Sequence, residues 1–209
     1  GGTLYLNMAS FYPNFVQDHY SYRIDSTMVS ICMCAFEFAG IVCNPIHAMT
    51  ISKIGRRNAM MLGEFISFLT SAALGLLALI SYDNWLFFFL ASMIIRFIQG
   101  YGDSMSVTTA FSVISSNFTD NKEKNIGYME ASAGLGLIAG PPIAGVIYGL
   151  AGFSNTFYSF SLLLLLNVIN IWMFVPPSLN FEKKKTTERE GLIDQHINAS
   201  GMEGTKASQ

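Results

Sequence analysis

Residues 131–175 read ASAGLGLIAGPPIAGVIYGLAGFSNTFYSFSLLLLLNVINIWMFV, and this stretch decides the fold because it contains no charged side chain. The charge-free run lies between Glu130 and Glu182, and it is about twice the length that one membrane-spanning helix needs. Residues 149–155 (GLAGFSN) are small or turn-forming and make the natural break in the run. The pattern therefore predicts two consecutive transmembrane helices, 125–151 and 156–175.

The rest of the chain has a similar composition. Of the 209 residues, 51% are hydrophobic and 12% are charged, whereas a soluble domain is about 25% charged. Hydropathy predicts further spans at 27–48, 59–82 and 85–115, and a partial span at 3–16. We interpret the partial span as the second half of a truncated first helix, because the sequence opens without a methionine. Since lipid offers the backbone no hydrogen-bonding partner, we expect an all-α membrane protein with a six-helix bundle over residues 1–177.

Basic residues mark one side of the predicted membrane. All twelve Lys and Arg except Arg23 and Arg96 lie in the connections after spans two and four or in the tail. The positive-inside rule makes those connections cytoplasmic. From residue 178 to residue 209 charged and small polar residues dominate, which predicts a disordered cytoplasmic central loop or tail. A net charge of −2 gives no indication of a nucleic-acid partner.

Ionisable residues inside a membrane are costly and are functional candidates by default. In the fourth span, Arg96, Gln99 and Asp103 share one helical face because their offsets are three and seven. Together with Glu37 in the second span, they are the predicted proton and substrate pathway. The alternatives are a structural arginine bonded to carbonyls, a hydrated Asp103 and a buried neutral Glu37.

Three other ionisable residues are assigned less direct roles. Glu64 and Glu130 lie near helix ends, and we interpret both as interfacial or structural. His47 borders a basic connection, so we interpret it as interfacial too.

Small residues recur in the fifth span at four-residue spacing, which permits close helix contact. The strip comprises Gly136, Gly140, Gly145 and Gly149, with Pro141 and Pro142 inside it. Because the two prolines remove backbone donors, we expect the helix to bend there. A purely structural contact is the alternative to a helix that rocks against its neighbour. Between spans two and three, Gly55 permits a tight turn, and topology alone would explain the charges of Arg56 and Arg57.

Three motifs in this order resemble those of the major facilitator superfamily of secondary transporters. They are the turn between helices two and three, the RFIQG sequence of helix four and the GxxxGP sequence of helix five. The matching residues are Gly55, Arg56 and Arg57; Arg96, Gln99 and Gly100; and Gly136, Gly140, Pro141 and Gly145. The chain departs from the family at Ala48 and Ser52, where Gly and Asp are usual, and at Ala144, where Gly is usual. Residues 128–157 and the Tyr12-Pro13 pair are similar to the vesicular amine transporter group in the drug:proton antiporter branch.

The resemblance implies an N-terminal six-helix half of a twelve-helix transporter, with a C-terminal half as its partner. The helix-four arginine implies proton transfer, and the helix-five motif implies antiport. We therefore expect a proton-coupled antiporter of organic cations, amines or drug-like compounds that works by alternating access. Its place would be the plasma membrane or an acidic vesicle or vacuole membrane. A non-transporting half-transporter relic, scaffold or receptor is the alternative. An enzyme is not predicted, because the sequence shows no Ser/His/Asp set, phosphate loop or metal cluster, and no cofactor or metal is expected.

Overall fold

The apolar segments form helices in the computed structural model, which describes residues 2–20, 23–117 and 121–180. Within these ranges the helices are α1 (Gly2–Tyr20), α2 (Ser26–Ile54), α3 (Arg56–Leu76), α4 (Trp85–Asn117) and α5 (Lys122–Phe174). Single 3-10 turns lie at Leu77–Leu79, Tyr82–Asn84 and Pro177–Leu179. The described residues contain no strand, and the all-α prediction is confirmed.

Helix α2 begins and ends at residues suited to those positions. Asp25 occupies the N-cap position, where aspartate is among the preferred residues, and its side chain accepts a hydrogen bond from the Ser26 amide. The helix ends at Gly55, whose φ of 91° strains any residue with a Cβ. The predicted end at residue 48 is therefore one to two turns too early. Thr50 and Ser52 are compatible with a helix because their hydroxyls donate to backbone carbonyls of the preceding turn.

Helix α5 covers almost the whole charge-free run and breaks once. Gly152 has φ 79° and ψ −179°, the one departure from helical dihedral angles inside α5. The break lies within residues 149–155, where the sequence is richest in turn formers. Pro141 and Pro142 retain helical dihedral angles, so the backbone leaves the helix at the glycine and not at the prolines.

Replacing Gly152 by alanine should lower the thermal stability of the purified protein. An alanine at these dihedral angles, which are essentially restricted to glycine, is strained by roughly 1–3 kcal/mol, and a Cβ at this position meets no atom within 4 Å. The whole effect is therefore backbone strain. Gly149→Ala is the matched control, since its Cβ also meets open space but its backbone is helical. The control should be neutral or stabilising, and equal melting temperatures for the two variants would contradict the assignment of strain to Gly152.

Helix α4 is the centre of the bundle. It packs along α2 on one side and α3 on the other, while α5 packs against α1 and α3. Aromatic rings from α1, α4 and α5 fill one region of the interior, in offset and edge-on contacts that stabilise such clusters. They belong to Phe11, Tyr12, Phe15, Phe88, Phe153 and Phe157.

The outer surface is apolar, as a lipid-facing surface must be. Side chains such as Ile41 and Leu150 are 73% and 85% exposed. Among the described residues, four helices are long and apolar enough to cross a membrane: α2, α3 with its 3-10 extension to Leu79, α4 and α5. Helix α1 is not among these four candidates, and α5, with its 53 residues, is one candidate although the sequence predicts two spans there. The fold is that of a polytopic helical membrane protein, and the count of six spans stays a prediction.

Only the first three residues of the segment predicted to be disordered, 178–180, are described by the structure. Residues 181–209 lie outside the described residues, and so does most of that prediction. Its first residues are ordered, because Pro177–Leu179 forms a 3-10 turn and Asn180 contacts the start of α3. For the rest of the segment, disorder stays a prediction.

Candidate functional site

Helices α2 and α4 lie side by side in a fixed register. The backbone of Phe36 faces Gly100, Gly40 faces Ser104, and the Thr108 hydroxyl donates to Asn44 Oδ1 at 3.0 Å. Partners are 64 positions apart each time, and the contacts recur every four residues along each helix. This spacing is that of one stripe on a helix surface, so the register follows from the small residues on it.

A cleft of about 370 Å³ opens along this boundary. Glu37 of α2 and Asp103 of α4 both line it. Glu37 is exposed and Asp103 is half-buried. Neutral polar groups and apolar side chains complete the lining: Asn44, Ser104 and Thr108 with Phe36, Ile41, Val107 and Phe111. The cleft can therefore offer two acidic side chains and an apolar wall to one small molecule, and its volume is in the range of ligand pockets.

His47 of α2 contacts Ser104, one of the polar residues that line the cleft. Its side chain is completely buried, its Nε2 lies 3.0 Å from Ser104 Oγ, and its ring meets Tyr101 edge-on. Helix α2 continues past His47, whose ring faces α4, and the interpretation of His47 as interfacial stays a prediction.

Arg96 and Gln99 lie in the interior of the bundle. Both side chains are 1% exposed, and Arg96 Nη1 donates to Gln99 Oε1 at 2.7 Å. The guanidinium carbon lies 4.7 Å from the centre of the Phe36 ring, a cation–π contact that favours a desolvated arginine. Phe36 also lines the cleft. The polar stripe of α4 is thus divided. Asp103 lines the cleft, whereas Arg96 is buried in the bundle and contacts the ring of Phe36.

The glycines that follow Gln99 hold α4 between its neighbours. A Cβ at Gly100 would overlap the backbone carbonyl oxygen of Phe36 on α2. On the other side, a Cβ at Gly102 would lie 2.8 Å from the Gly63 oxygen of α3, and one at Gly63 would lie 2.5 Å from the Gly102 oxygen. The RFIQG motif therefore combines a buried arginine with a position at which two helix backbones touch.

The glycine strip of α5 is split between two faces. Gly136 is half-buried, and Gly140 and Ala144 are buried; Ala144 belongs to the core cluster that contains the α1 aromatics. Gly145 is exposed, and a Cβ there would meet no atom within 4 Å, as at Gly149. The prediction of close contact is wrong for these two residues within this bundle, because position 145 lies about 100° around the helix from position 144.

The arginines of the α2–α3 turn are bonded to other helices. Arg56 Nε donates to Ser112 Oγ of α4 at 3.1 Å, and Arg57 Nη2 donates to the Trp172 carbonyl oxygen of α5 at 2.6 Å. These contacts connect the turn to the ends of two neighbouring helices, which the distribution of charge alone did not predict.

The remaining acids occupy the positions expected of structural groups. Glu64 accepts a hydrogen bond from Ser106 Oγ at 2.9 Å and so ties α3 to α4. Glu130 is exposed on α5 and does not line the cleft. Four residues at the cleft were not predicted as site residues: His47, Asn44, Ser104 and Thr108. The signal that could have found the last three is the four-residue recurrence of small and polar residues on both helices.

Comparison with known proteins assigns this bundle to a family. The family model described as Major Facilitator Superfamily matches residues 2–204. The chain belongs to the major facilitator superfamily. The family predicted from the three motifs is confirmed, and this family is one of membrane transporters.

Three relatives illustrate what this major facilitator chain is similar to. The MFS-type transporter SLC18B1 of Mus musculus is 22% identical, over 87% of this chain and 41% of the mouse protein. The vesicular acetylcholine transporter unc-17 of Caenorhabditis elegans is 29% identical, over 66% of this chain and 24% of its own length. The synaptic vesicular amine transporter of Rattus norvegicus is 26% identical, over 73% of this chain and 28% of its own. The chain thus spans less than half the length of these relatives. No solved structure gives a significant match.

Proposed function

We propose that the full-length protein is a proton-coupled antiporter of organic cations or amines and that the cleft between α2 and α4 is part of its pathway. The observation that carries the proposal is that Glu37 and Asp103 line one cleft. Family membership supports transport, and two of the named relatives are transporters of amines or acetylcholine by name. None of the three is described as a scaffold or receptor, so transport is the function we retain.

The chemistry of the cleft suits both exchanged species. A carboxylate binds either a proton or an organic cation, and binding of one removes the charge that attracts the other. The apolar side chains Phe36, Ile41, Val107 and Phe111 suit the hydrocarbon part of an amine. Protonation of the acids on the side of high proton concentration would release the cation there. Loss of the proton on the opposite side would restore the binding state.

Alternating access requires a second bundle. In this fold class two halves rock around a site near the bilayer midplane. Since the chain spans less than half of its relatives, we propose that a C-terminal six-helix half completes the pathway. The end of the bundle that carries the α2–α3 turn would face the cytoplasm, because its basic residues follow the positive-inside rule. The names of the relatives favour a vesicle membrane over the plasma membrane.

The proposal is tested by uptake into sealed vesicles that contain the full-length protein and have an imposed pH gradient. A panel of radiolabelled amines, including acetylcholine and a monoamine, is the probe. Glu37→Gln and Asp103→Asn should each reduce gradient-driven uptake about tenfold or more, since a hydrogen bond to a charged group contributes ~1.5–3 kcal/mol. The double variant should abolish it.

Glu130→Gln is the matched control, because it removes an exposed acid of α5 that lies outside the cleft. Its uptake should equal that of the unmodified protein. Undiminished pH-driven uptake by the double variant would show that the proposed pathway is wrong.

A further inference from the structure

The first turn of α3 obtains no side-chain cap from the residue that precedes it. Gly55 occupies the N-cap position and has no side chain with which to accept a hydrogen bond. The first four amides of any helix lack intrahelical acceptors and need partners from elsewhere. At the α2–α3 turn these amides belong to the loop motif itself.

Asn180 provides the missing acceptors from the far end of the described chain. The Arg56 amide donates to the Asn180 carbonyl oxygen at 3.1 Å. The amides of Arg57 and Asn58 donate to Asn180 Oδ1 at 3.0 and 3.3 Å. Asparagine is among the most effective N-cap residues. Here it lies 123 positions after the amide of Arg57 that it caps.

The contact is reciprocal. Arg57 Nη2 donates to the carbonyl oxygen of Trp172, which lies in the last turn of α5. Carbonyls of a last helical turn lack intrahelical donors, and a cation near them is favourable. Asn180, which follows α5, therefore caps the start of α3, and Arg57 of α3 in turn caps the end of α5. Arg56 extends the contact to Ser112 of α4.

We propose that Asn180 is a positioning residue that clasps the α2–α3 turn to the end of α5. The position of Asn180 is thereby coupled to the loop motif, because displacing Asn180 withdraws both of its acceptors from the first turn of α3. A conformational change that separates α3 from α5 at this end must break the same bonds. The inference goes beyond the transport cycle proposed above and does not rest on it, since it concerns only contacts within this chain.

Hydrogen exchange of the full-length protein in lipid nanodiscs tests the clasp. In Asn180→Ala, the amides of Arg57 and Asn58 should exchange roughly fivefold faster, the effect expected from loss of an N-cap side chain. The amide of Arg56 should keep its protection, because its acceptor is the backbone carbonyl of residue 180, which alanine retains. Asn180→Asp retains an acceptor that caps equally well and should keep the protection of the unmodified protein. Rescue by aspartate separates capping from the general effect of changing the residue.

Asn170→Ala is the control, because it removes an exposed asparagine from α5 outside the clasp. It should leave exchange at the three amides unchanged. The proposal is overturned if Asn180→Ala exchanges like the unmodified protein or if the aspartate variant exchanges as fast as the alanine variant. A rise spread equally over residues 100–106 of α4 would also overturn it, since that pattern reports a loss of global stability.

Discussion

Gly100→Ala should cause the largest loss of stability of any single methyl group added to this bundle. The new Cβ would overlap the backbone oxygen of Phe36, and a backbone atom cannot move aside as a flexible side chain can. Helices α2 and α4 would have to separate along their whole contact, from the pair Phe36 and Gly100 to the pair Asn44 and Thr108. Overpacking typically costs ~1–3 kcal/mol and sometimes more, and we expect at least the upper end here. Thermal unfolding of the purified protein in detergent measures it.

Gly134→Ala is the matched control for this substitution. Gly134 also lies inside a helix, but a Cβ there would meet no atom within 4 Å. Because alanine is a better helix former than glycine by ~0.5–1 kcal/mol, the control should be neutral or slightly stabilising. If the melting temperatures of Gly100→Ala and Gly134→Ala are equal, α2 and α4 do not touch at Gly100, and the register that forms the cleft is wrong.

Much of the fold follows from the sequence because it depends on composition along single helices. The charge-free run predicts the long apolar segment that α5 forms, and small residues at 149–155 predict where it breaks. The end of α2 was harder to predict, because polar residues such as Thr50 and Ser52 are typical of the loops that follow an apolar helix. In the helix their hydroxyls bond to the preceding turn, so their polarity does not end it.

The candidate site was only partly predictable, since it depends on how two helices are aligned. Glu37 and Asp103 were identified separately by their cost in a membrane, but nothing in either helix alone states that they share a cleft. Their proximity depends on the contact between Phe36 and Gly100, which fixes the register. Asn180 was missed for a related reason. N-cap residues are sought just before a helix, and this one follows α3 by more than a hundred residues.

Replacing Arg96 by methionine should uncouple transport from the pH gradient while leaving the bundle folded. Methionine fills a similar apolar volume, and the loss of the donor to the buried Gln99 Oε1 should cost about 1–3 kcal/mol of stability. The guanidinium of Arg96 contacts the ring of Phe36, which lines the cleft, and Arg96 itself is not among the lining residues. Its charge can therefore influence the acids without binding the substrate. We expect gradient-driven uptake by the full-length protein to fall at least about tenfold, within the 5–150-fold range of typical coupling free energies.

Two further measurements separate this role from a structural one. The melting temperature of Arg96→Met should fall only by the amount that the lost bond to Gln99 accounts for. Binding of the amine without a gradient should persist, because Glu37 and Asp103 remain. Arg96→Lys should restore part of the pH-driven uptake, since it keeps the charge but loses the planar geometry that bonds Gln99. A methionine variant with full pH-driven uptake would show that the arginine serves packing alone. Loss of folding with both substitutions would indicate that the bond to Gln99 is chiefly structural.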